Sequence, residues 1–451
     1  MRALREKLDR RLGNPPAAEQ HTASAEKLRG VTARLRAGEL TALPVIISLM
    51  STWVIFQTLD PTHRFLTAAN LSNMVVQIAP AGIMAVGITL VLLLGEIDLS
   101  IGSVSGLAAV ILAILVVHYG VPELLAIVMV ALLGLGVGAL QGTIHAAIGV
   151  PSFMVTLAGL IGWQGLQLYM LSPQGAINVS DHGSIAALTH AYFPAVAGWS
   201  LGAVMIGCYV AAVIVHTRRR RAAGLPCIAL WRQAARVALL SAGVVVTIGV
   251  LNSWRGVPVA LAVLIAFAVG VDLMLRKTRF GRSVIAIGGN VEAARRAGIP
   301  VNRITILVFA LGSAMAAGGG ILVVSREFSA HQSTGGSDLL LYAIAAAVIG
   351  GVSLFGGRGS IYGALLGIAV IGSINNGMYL LGLNSSVQFM VTAVVLLLAV
   401  IIDSAYRHGH QLPVRILYQS PRNRSHQHRR ISGDRDYSAP AGTHGDGFKK
   451  R

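Results

Sequence analysis

The chain has 451 residues, of which 54% are hydrophobic and only 12% are charged. Soluble domains carry about 25% charged residues, so this chain lacks the polar surface that several soluble domains would need. The 52 glycines in this apolar background favour packed transmembrane helices, because small residues let helix backbones approach closely. The two cysteines, Cys208 and Cys227, fit neither a disulfide framework nor a metal site.

The net charge of +18 is concentrated in clusters rather than spread over one face. Four clusters hold 32 of the 36 Lys and Arg residues, at 1–36, 218–236, 276–303 and 407–451. Basic clusters separated by long apolar stretches are typical of the cytoplasmic segments of polytopic membrane proteins. The pattern therefore argues against nucleic-acid binding and predicts that all four clusters, and with them both termini, lie in the cytoplasm.

Three regions follow one another along the chain. Residues 1–38 are basic with no apolar core, which predicts a cytoplasmic arm rather than a signal peptide. A membrane span needs about 20 apolar residues. The domain at 39–405 offers candidates at 40–59, 74–94, 100–118, 124–149, 152–171, 196–217, 237–253, 257–275, 304–325, 339–355, 360–380 and 387–403. The tail at 406–451 is predicted to be a disordered cytoplasmic segment. The fold class is thus an all-α polytopic membrane protein with about ten to twelve transmembrane helices.

Two Gly-rich stretches, 95–102 and 350–359, interrupt this pattern and are candidates for re-entrant or broken helices. Such segments are tolerated at membrane depth only when they are buried in protein. The stretches also resemble each other, since GEIDLSIG followed by SVSG matches GGVSLFGG followed by SIYG, and each is followed downstream by FMVT, at 153–156 and 389–392. Two weakly repeated halves, parallel or inverted, are a common transporter design, and ordinary small-residue packing is the alternative.

Glu96 and Asp98 are the only carboxylates between Asp60 and Glu123. A pair of acids could serve acid–base chemistry or proton coupling. Because they lie at the end of an apolar run and precede Ser100, the favoured interpretation is that Asp98 caps the next helix. The sequence contains no phosphate-binding loop, zinc spacing or nucleophile elbow.

The segment from Gly281 to Pro300 predicts a short helix inside the third basic cluster. Asn290 is a plausible N-cap, and Glu292 favours the first turn through the helix dipole. Ala293, Ala294 and Ala297 would give the helix a closely approachable face, and Gly298 would end it. A short helix of this kind in the cytoplasm is suited to docking against another protein, whereas a plain basic loop at the inner leaflet is the alternative.

Four blocks, in order, carry a family resemblance over about residues 65–405. They are GEIDLSIGS at 95–103, GVPSFMVTL at 149–157, FGRSVIAIGGN at 280–290 with EAAR at 292–295, and GGVSLFGGRGS at 350–360. With these blocks the chain resembles the membrane-spanning permease subunits of ABC-type sugar importers of the ribose/xylose/arabinose branch. The extra stretch at 222–275 makes it most similar to the D-xylose type.

The resemblance implies a type II importer-like permease of the bacterial inner membrane, not an enzyme, that works as two copies of this chain surrounded by lipid. A cytoplasmic ATPase subunit would bind ATP and magnesium, and a periplasmic sugar-binding protein would deliver a monosaccharide, D-xylose or a related pentose. This chain would bind no cofactor or metal itself. The family's coupling segment maps onto Asn290, Glu292, Ala293, Ala294 and Gly298, and the loop at 276–303 carries it.

A neutral, hydroxyl-rich sugar needs hydrogen-bonding side chains along its route. The predicted route or gating candidates are Gln77, Glu96, Asp98, Ser100, Gln164, Asn375 and Asn376, and the spans also offer Gln141, Thr143, His145, Thr156, Gln167 and Gln388. Buried amides can equally hold helices together, and His145 is better explained by helix packing than by a proton relay.

Two other classes of function stay open at this point. A single-chain secondary transporter of sugars or cations would need an ionisable relay inside the membrane, for which Glu96 and Asp98 are the candidates. A membrane-embedded enzyme would use the same two acids as its catalytic pair, but the sequence provides no convergent set of further acidic, His or Cys residues.

Overall fold

The computed structural model describes residues 42–173, 175–225 and 229–408. The first part of the chain forms α1 Ala42–Leu59, α2 Ala68–Leu94, α3 Ile101–Val117, α4 Glu123–Thr143, a π-helical turn Ile144–Ile148, and α5 Ser152–Leu171. The middle part forms β1 Ala176–Asn178, α6 Ser184–His190, β2 Tyr192–Phe193, α7 Ala195–Ala222, α8 Leu230–Asn252, β3 Val257–Pro258 and α9 Val259–Lys277. The last part forms α10 Arg279–Gly289, α11 Val291–Arg296, α12 Val301–Glu327, β4 Ser329–His331, α13 Ser337–Ile349, α14 Ile361–Leu380 and α15 Ser385–His408.

The predicted all-α polytopic fold is confirmed. Among the described residues, eight helices are long and apolar enough to cross a membrane, and four shorter apolar helices accompany them. Together they account for each of the twelve predicted stretches. The predicted arm at 1–38 lies outside the described residues, and so does the predicted tail beyond His408, the residue at which α15 ends.

The predicted span at 339–355 is wrong in its second half. Helix α13 ends at Ile349, because the glycines that follow adopt a turn in which Gly351 has a φ of +81°. Thirteen residues of helix span about 20 Å, which is less than the roughly 30 Å of a bilayer's hydrocarbon core. Both Gly-rich stretches are therefore breaks between helices, as predicted.

Helices α2 and α12 form the centre of the fold. In the most apolar 18-residue stretch of α2 and of α12, 83% and 72% of the residues are buried, respectively. In the corresponding stretches of the peripheral helices α7 and α8, only 11% of the residues are buried. The two central helices run antiparallel, since Gly87 faces Gly312 and Met84 faces Gly319. A Cβ on Gly87 would lie 2.9 Å from the Gly312 carbonyl oxygen, so the two backbones pack with no side chain between them.

Helices α2–α5 and α12–α15 form two halves of the fold, and the first helix of each half packs against the third helix of the other half. Helix α4 lies along α12 through Gly134, Gly138 and Gly142, which recur every four residues. Helix α14 lies along α2, where Asn376 accepts a hydrogen bond of 2.7 Å from Asn70. The halves are thus α2–α5 and α12–α15, and in each a non-helical segment follows the first helix.

The two halves have inverted orientations. Helices α3 and α13 run antiparallel, because Gly102 packs on Leu340 while Gly106, further along α3, meets Gly335 at the start of α13. On this topology the predicted alignment of 95–106 with 350–363 is wrong, since the first stretch precedes the second helix of its half and the second precedes the third. The FMVT pair fits, because it lies near the start of α5 and of α15, the fourth helix of each half.

The two ends of the molecule differ in character. Within the described residues, two short antiparallel strand pairs, β1 with β4 and β2 with β3, lie at one end, which we call the strand end. Helices α7 and α9 run from these strands to Arg218–Arg221 and to Arg276, respectively, at the opposite end, which we call the basic end. Both described basic clusters therefore share one end, as the charge pattern predicts.

Gly138→Leu is expected to lower the midpoint of thermal unfolding of the detergent-purified chain by several degrees. A Cβ at this position would overlap the Phe309 carbonyl, and overpacking of a tight contact costs about 1–3 kcal/mol. Gly136→Leu is the matched control, since nothing lies within 4 Å of its Cβ position. Equal midpoints for the two variants would contradict the close α4–α12 packing.

Candidate functional site

The break between α2 and α3 is a buried polar turn. Helix α2 ends at Gly95 with a φ of +92°. Asp98, only 4% exposed, then accepts hydrogen bonds of 2.8 Å from the Ser100 backbone N–H and 2.6 Å from its hydroxyl. The predicted helix cap is therefore wrong in detail, because Asp98 bonds to Ser100, which precedes α3, and not to the first turn of the helix itself.

Three contacts fix this break to the other helices of its half. Ser100 Oγ lies 3.0 Å from Gln141 Oε1 on α4. Thr156 on α5 donates a hydrogen bond of 3.3 Å to the carbonyl oxygen of Ile97. The break is therefore bonded directly to both α4 and α5.

The π-helical turn at the end of α4 supplies the third contact. His145 Nε2 lies 3.3 Å from Glu96 Oε1, and its Nδ1 lies 2.7 Å from the carbonyl oxygen of Val150. The imidazole thus bridges the break and the turn that leads into α5. Short π-helical turns within α-helices frequently occur at functional sites, which favours a functional role for this region.

The second Gly-rich stretch meets the first at the basic end. The Gly357 N–H donates a hydrogen bond of 2.9 Å to the carbonyl oxygen of Leu93, in the last turn of α2. Gly356 packs against Gly95, and a Cβ on Gly288 of α10 would overlap the same Leu93 carbonyl. We call Gly95, Gly288, Gly356 and Gly357 the glycine junction, where three backbone segments touch without intervening side chains.

Helix α10 leads from this junction to the predicted docking helix. Its buried face carries Val284 and Ile287, which belong to the central core, and it ends at Gly289. Asn290 then begins α11, because its side-chain oxygen accepts a hydrogen bond of 2.9 Å from the Ala293 N–H. The predicted N-cap and the predicted helix end are present, since Gly298 has a φ of +78°.

The exposed surface of α11 differs from the predicted face at one position. Glu292, Ala293 and Gly298 are exposed, and Glu292 pairs with Arg295 at 2.9 Å. Ala294, by contrast, is 4% exposed and packs into the protein's own core. Ala294 thus anchors α11 to α10 and α12, and is not available to a partner.

The predicted route residues are not brought together into one site. Glu96, Asp98 and Ser100 share the break, whereas Gln77 on α2 and Gln164 on α5 are exposed separately. Asn376 holds α14 to α2 through Asn70, and its neighbour Asn375 lies beside Tyr342. Whether any of these residues contacts a transported molecule stays a prediction.

The structure gives two residues of α5, Gln167 and Trp163, specific neighbours that the sequence did not predict. Gln167 is buried and donates a hydrogen bond of 2.9 Å to the carbonyl oxygen of Thr334, which holds the segment between α12 and α13 against α5. Trp163, which sequence reasoning missed, places its Nε1 beside Gly159. The available signal was a tryptophan within an apolar helix whose neighbours include Gly159, Gly162 and Gly165.

Within the described ranges, no group of three or more His, Cys, Asp or Glu side chains is placed to hold a metal ion. The long apolar helices and their buried core define a multi-pass membrane protein. The family comparison agrees, because residues 70–400 match the family model described as branched-chain amino acid transport system / permease component. The chain belongs to this permease family and is a transport subunit rather than an enzyme.

The chain is similar to several curated relatives of that kind. It is 38% identical over 361 residues to the xylose transport system permease protein XylH of Escherichia coli K12, covering 80% of this chain and 91% of that protein. It is 36% identical to the Haemophilus influenzae XylH protein, covering 80% and 96%. It is 35% identical to the ribose import permease protein RbsC of Escherichia coli K12, covering 81% and 92%. No solved structure matches this chain.

Gly288→Ala is expected to lower the thermal unfolding midpoint and to loosen α10, because the added methyl group displaces the Leu93 carbonyl or the Gly357 N–H. Gly289→Ala is the matched control, since its Cβ position has nothing within 4 Å. Proteolysis of the purified chain at the exposed basic residues of 279–296 measures the loosening. If both variants are cut at the same rate, the glycine junction does not hold α10.

Proposed function

We propose that this chain is the membrane-spanning subunit of an ATP-driven importer for a monosaccharide, D-xylose or a related pentose. The observation that carries the proposal is the exposed, Asn290-capped helix α11, connected through α10 and the glycine junction to a broken membrane helix. Two copies of the chain would form the pathway in the bacterial inner membrane, with both termini and the basic end in the cytoplasm.

ATP hydrolysis in the proposed importer takes place on a separate subunit. A cytoplasmic ABC ATPase would bind ATP and magnesium and would dock on the exposed residues of α11, Glu292, Ala293 and Gly298. A periplasmic sugar-binding protein would deliver the substrate at the strand end. The similarity to xylose and ribose permeases supports the sugar, and the additional helices α8 and α9 favour the xylose type among them.

The proposed coupling proceeds through backbone contacts. A push on α11 moves α10, since both are anchored in one core through Ala294 and Ile287. Helix α10 bears on the last turn of α2 at Leu93, and the break that follows is tied to Gln141 on α4. The ATPase can drive transport only if its two nucleotide states bind α11 differently, because a ligand shifts a conformational equilibrium by its differential affinity.

Glu292→Lys is expected to reduce the amount of ATPase subunit that copurifies with the chain, and the rate of sugar uptake, by about tenfold. The variant should still fold, because an exposed ion pair such as Glu292–Arg295 contributes only about 0–1 kcal/mol. Glu327→Lys makes the same charge change at the strand end and should leave copurification unchanged. Normal uptake and copurification in Glu292→Lys would remove the docking role of α11.

The proposed orientation predicts which side of the membrane each end faces. In a background with Cys208→Ser and Cys227→Ser, Ala297→Cys near α11 should react with a membrane-impermeant maleimide only in inverted vesicles. His182→Cys at the strand end, where the side chain is exposed, should react only in intact spheroplasts. The opposite labelling pattern would place α11 outside the cell and would defeat the proposal.

A further inference from the structure

A groove on the side of the first half is lined by α4 and α5. It has a volume of about 350 Å³ and lies between the end of α4 and the first half of α5. Most of its wall is apolar and includes Ile144, Met154 and Val155. Gln141 and Trp163 also line it, and they bring the polar atoms of the groove to one point above Gly159.

These two side chains leave polar atoms without a partner. Gln141 is 2% exposed, and its Nε2 has no hydrogen-bond partner, while its Oε1 lies 3.0 Å from Ser100 Oγ. Trp163 Nε1 is also buried and unpartnered, and a tryptophan N–H can only donate.

The absence of a side chain at Gly159 brings these atoms together. A Cβ at this position would overlap Gln141 Nε2 and would lie 3.2 Å from Trp163 Nε1. Buried polar atoms without a hydrogen-bond partner are costly. The groove therefore fits a molecule that brings its own hydroxyl groups along with an apolar surface.

We propose that a monosaccharide in transit binds in this groove, with its hydroxyl groups paired to the Gln141 amide and the Trp163 N–H. The inference rests on the proposed import function and adds a substrate contact to it. A sugar ring presents both hydroxyls and apolar C–H faces, which suits a mostly apolar wall with a few placed polar groups. Gln141 also contacts Ser100, so a sugar bound here touches the same residue that holds the break between α2 and α3.

The first experiment removes each polar atom in the complete complex of chain, ATPase and binding protein in proteoliposomes. Trp163→Phe keeps an aromatic ring and removes only the N–H, and it is expected to lower D-xylose uptake about fivefold at unchanged ATPase copurification. Trp199→Phe, an exposed tryptophan on α7, is the matched control and should stay within twofold of wild type. Gln141→Leu is expected to lower uptake at least as much, against Thr247→Leu, an exposed polar residue of α8, as its control.

The second experiment does not depend on transport. In the background without native cysteines, Ala158→Cys in the groove should react with a water-soluble thiol reagent, and excess D-xylose should slow the reaction while glycine betaine should not. Val204→Cys, exposed on α7, should stay unreactive as a lipid-facing control. An unreactive Ala158→Cys would mean that lipid or the second copy fills the groove, and a reaction insensitive to D-xylose would mean that it holds water only.

Either of the last two outcomes overturns the inference, and so does wild-type uptake by both Trp163→Phe and Gln141→Leu. The failure of the import proposal looks different, because the wild-type complex itself would then take up no sugar. In that case labelling of Ala158→Cys would also show no protection by D-xylose.

Discussion

Direct contact between helix backbones is the constraint on which this fold depends. Water cannot drive helices together inside a bilayer, so stability comes from close packing, and glycine permits the closest approach. The antiparallel pair α2 and α12 meets through Gly87 and Gly312, and α4 meets α12 through glycines that recur every four residues. The same chemistry recurs at the glycine junction, where it joins a membrane helix to the helices of the basic end. The packing of the membrane helices and their connection to the helices of the basic end therefore rest on one type of contact.

The parts of the fold that depend on local chemistry could be predicted from the sequence. The apolar stretches located the helices, the basic clusters gave a shared end, and Asn290 and Gly298 marked the limits of α11. The inverted order of the halves could not be found in this way, because it depends on which helices pack together and not on any one of them. The similarity between 95–106 and 350–363 misled for this reason, since glycine-rich breaks look alike wherever they occur.

The sequence could predict the site only where a residue's contacts are with residues close to it in the chain. Asp98 was expected to cap a helix, but the cap position falls at Ser100, so Asp98 bonds to Ser100 and not to the first turn of α3. Ala294 turned inward because a short helix anchored at both ends must bury one side, and alanine is compatible with either side. Trp163 and Gln141 lie on different helices, so their convergence above Gly159 is a property of the packing alone.

The strand pairs give the molecule an asymmetry between its ends. The pairing of β1 with β4 joins the segment after α5 to the segment after α12, and so links the two halves by backbone hydrogen bonds. At the opposite end the halves meet at the glycine junction through one backbone hydrogen bond, from Gly357 to Leu93, and the described residues form no strand pair there. The two halves are thus hydrogen-bonded through a strand pair at the strand end and packed through glycine backbones at the basic end. A relative rotation of the two halves would therefore meet least resistance about an axis near the strand end, where β1 and β4 keep the halves together.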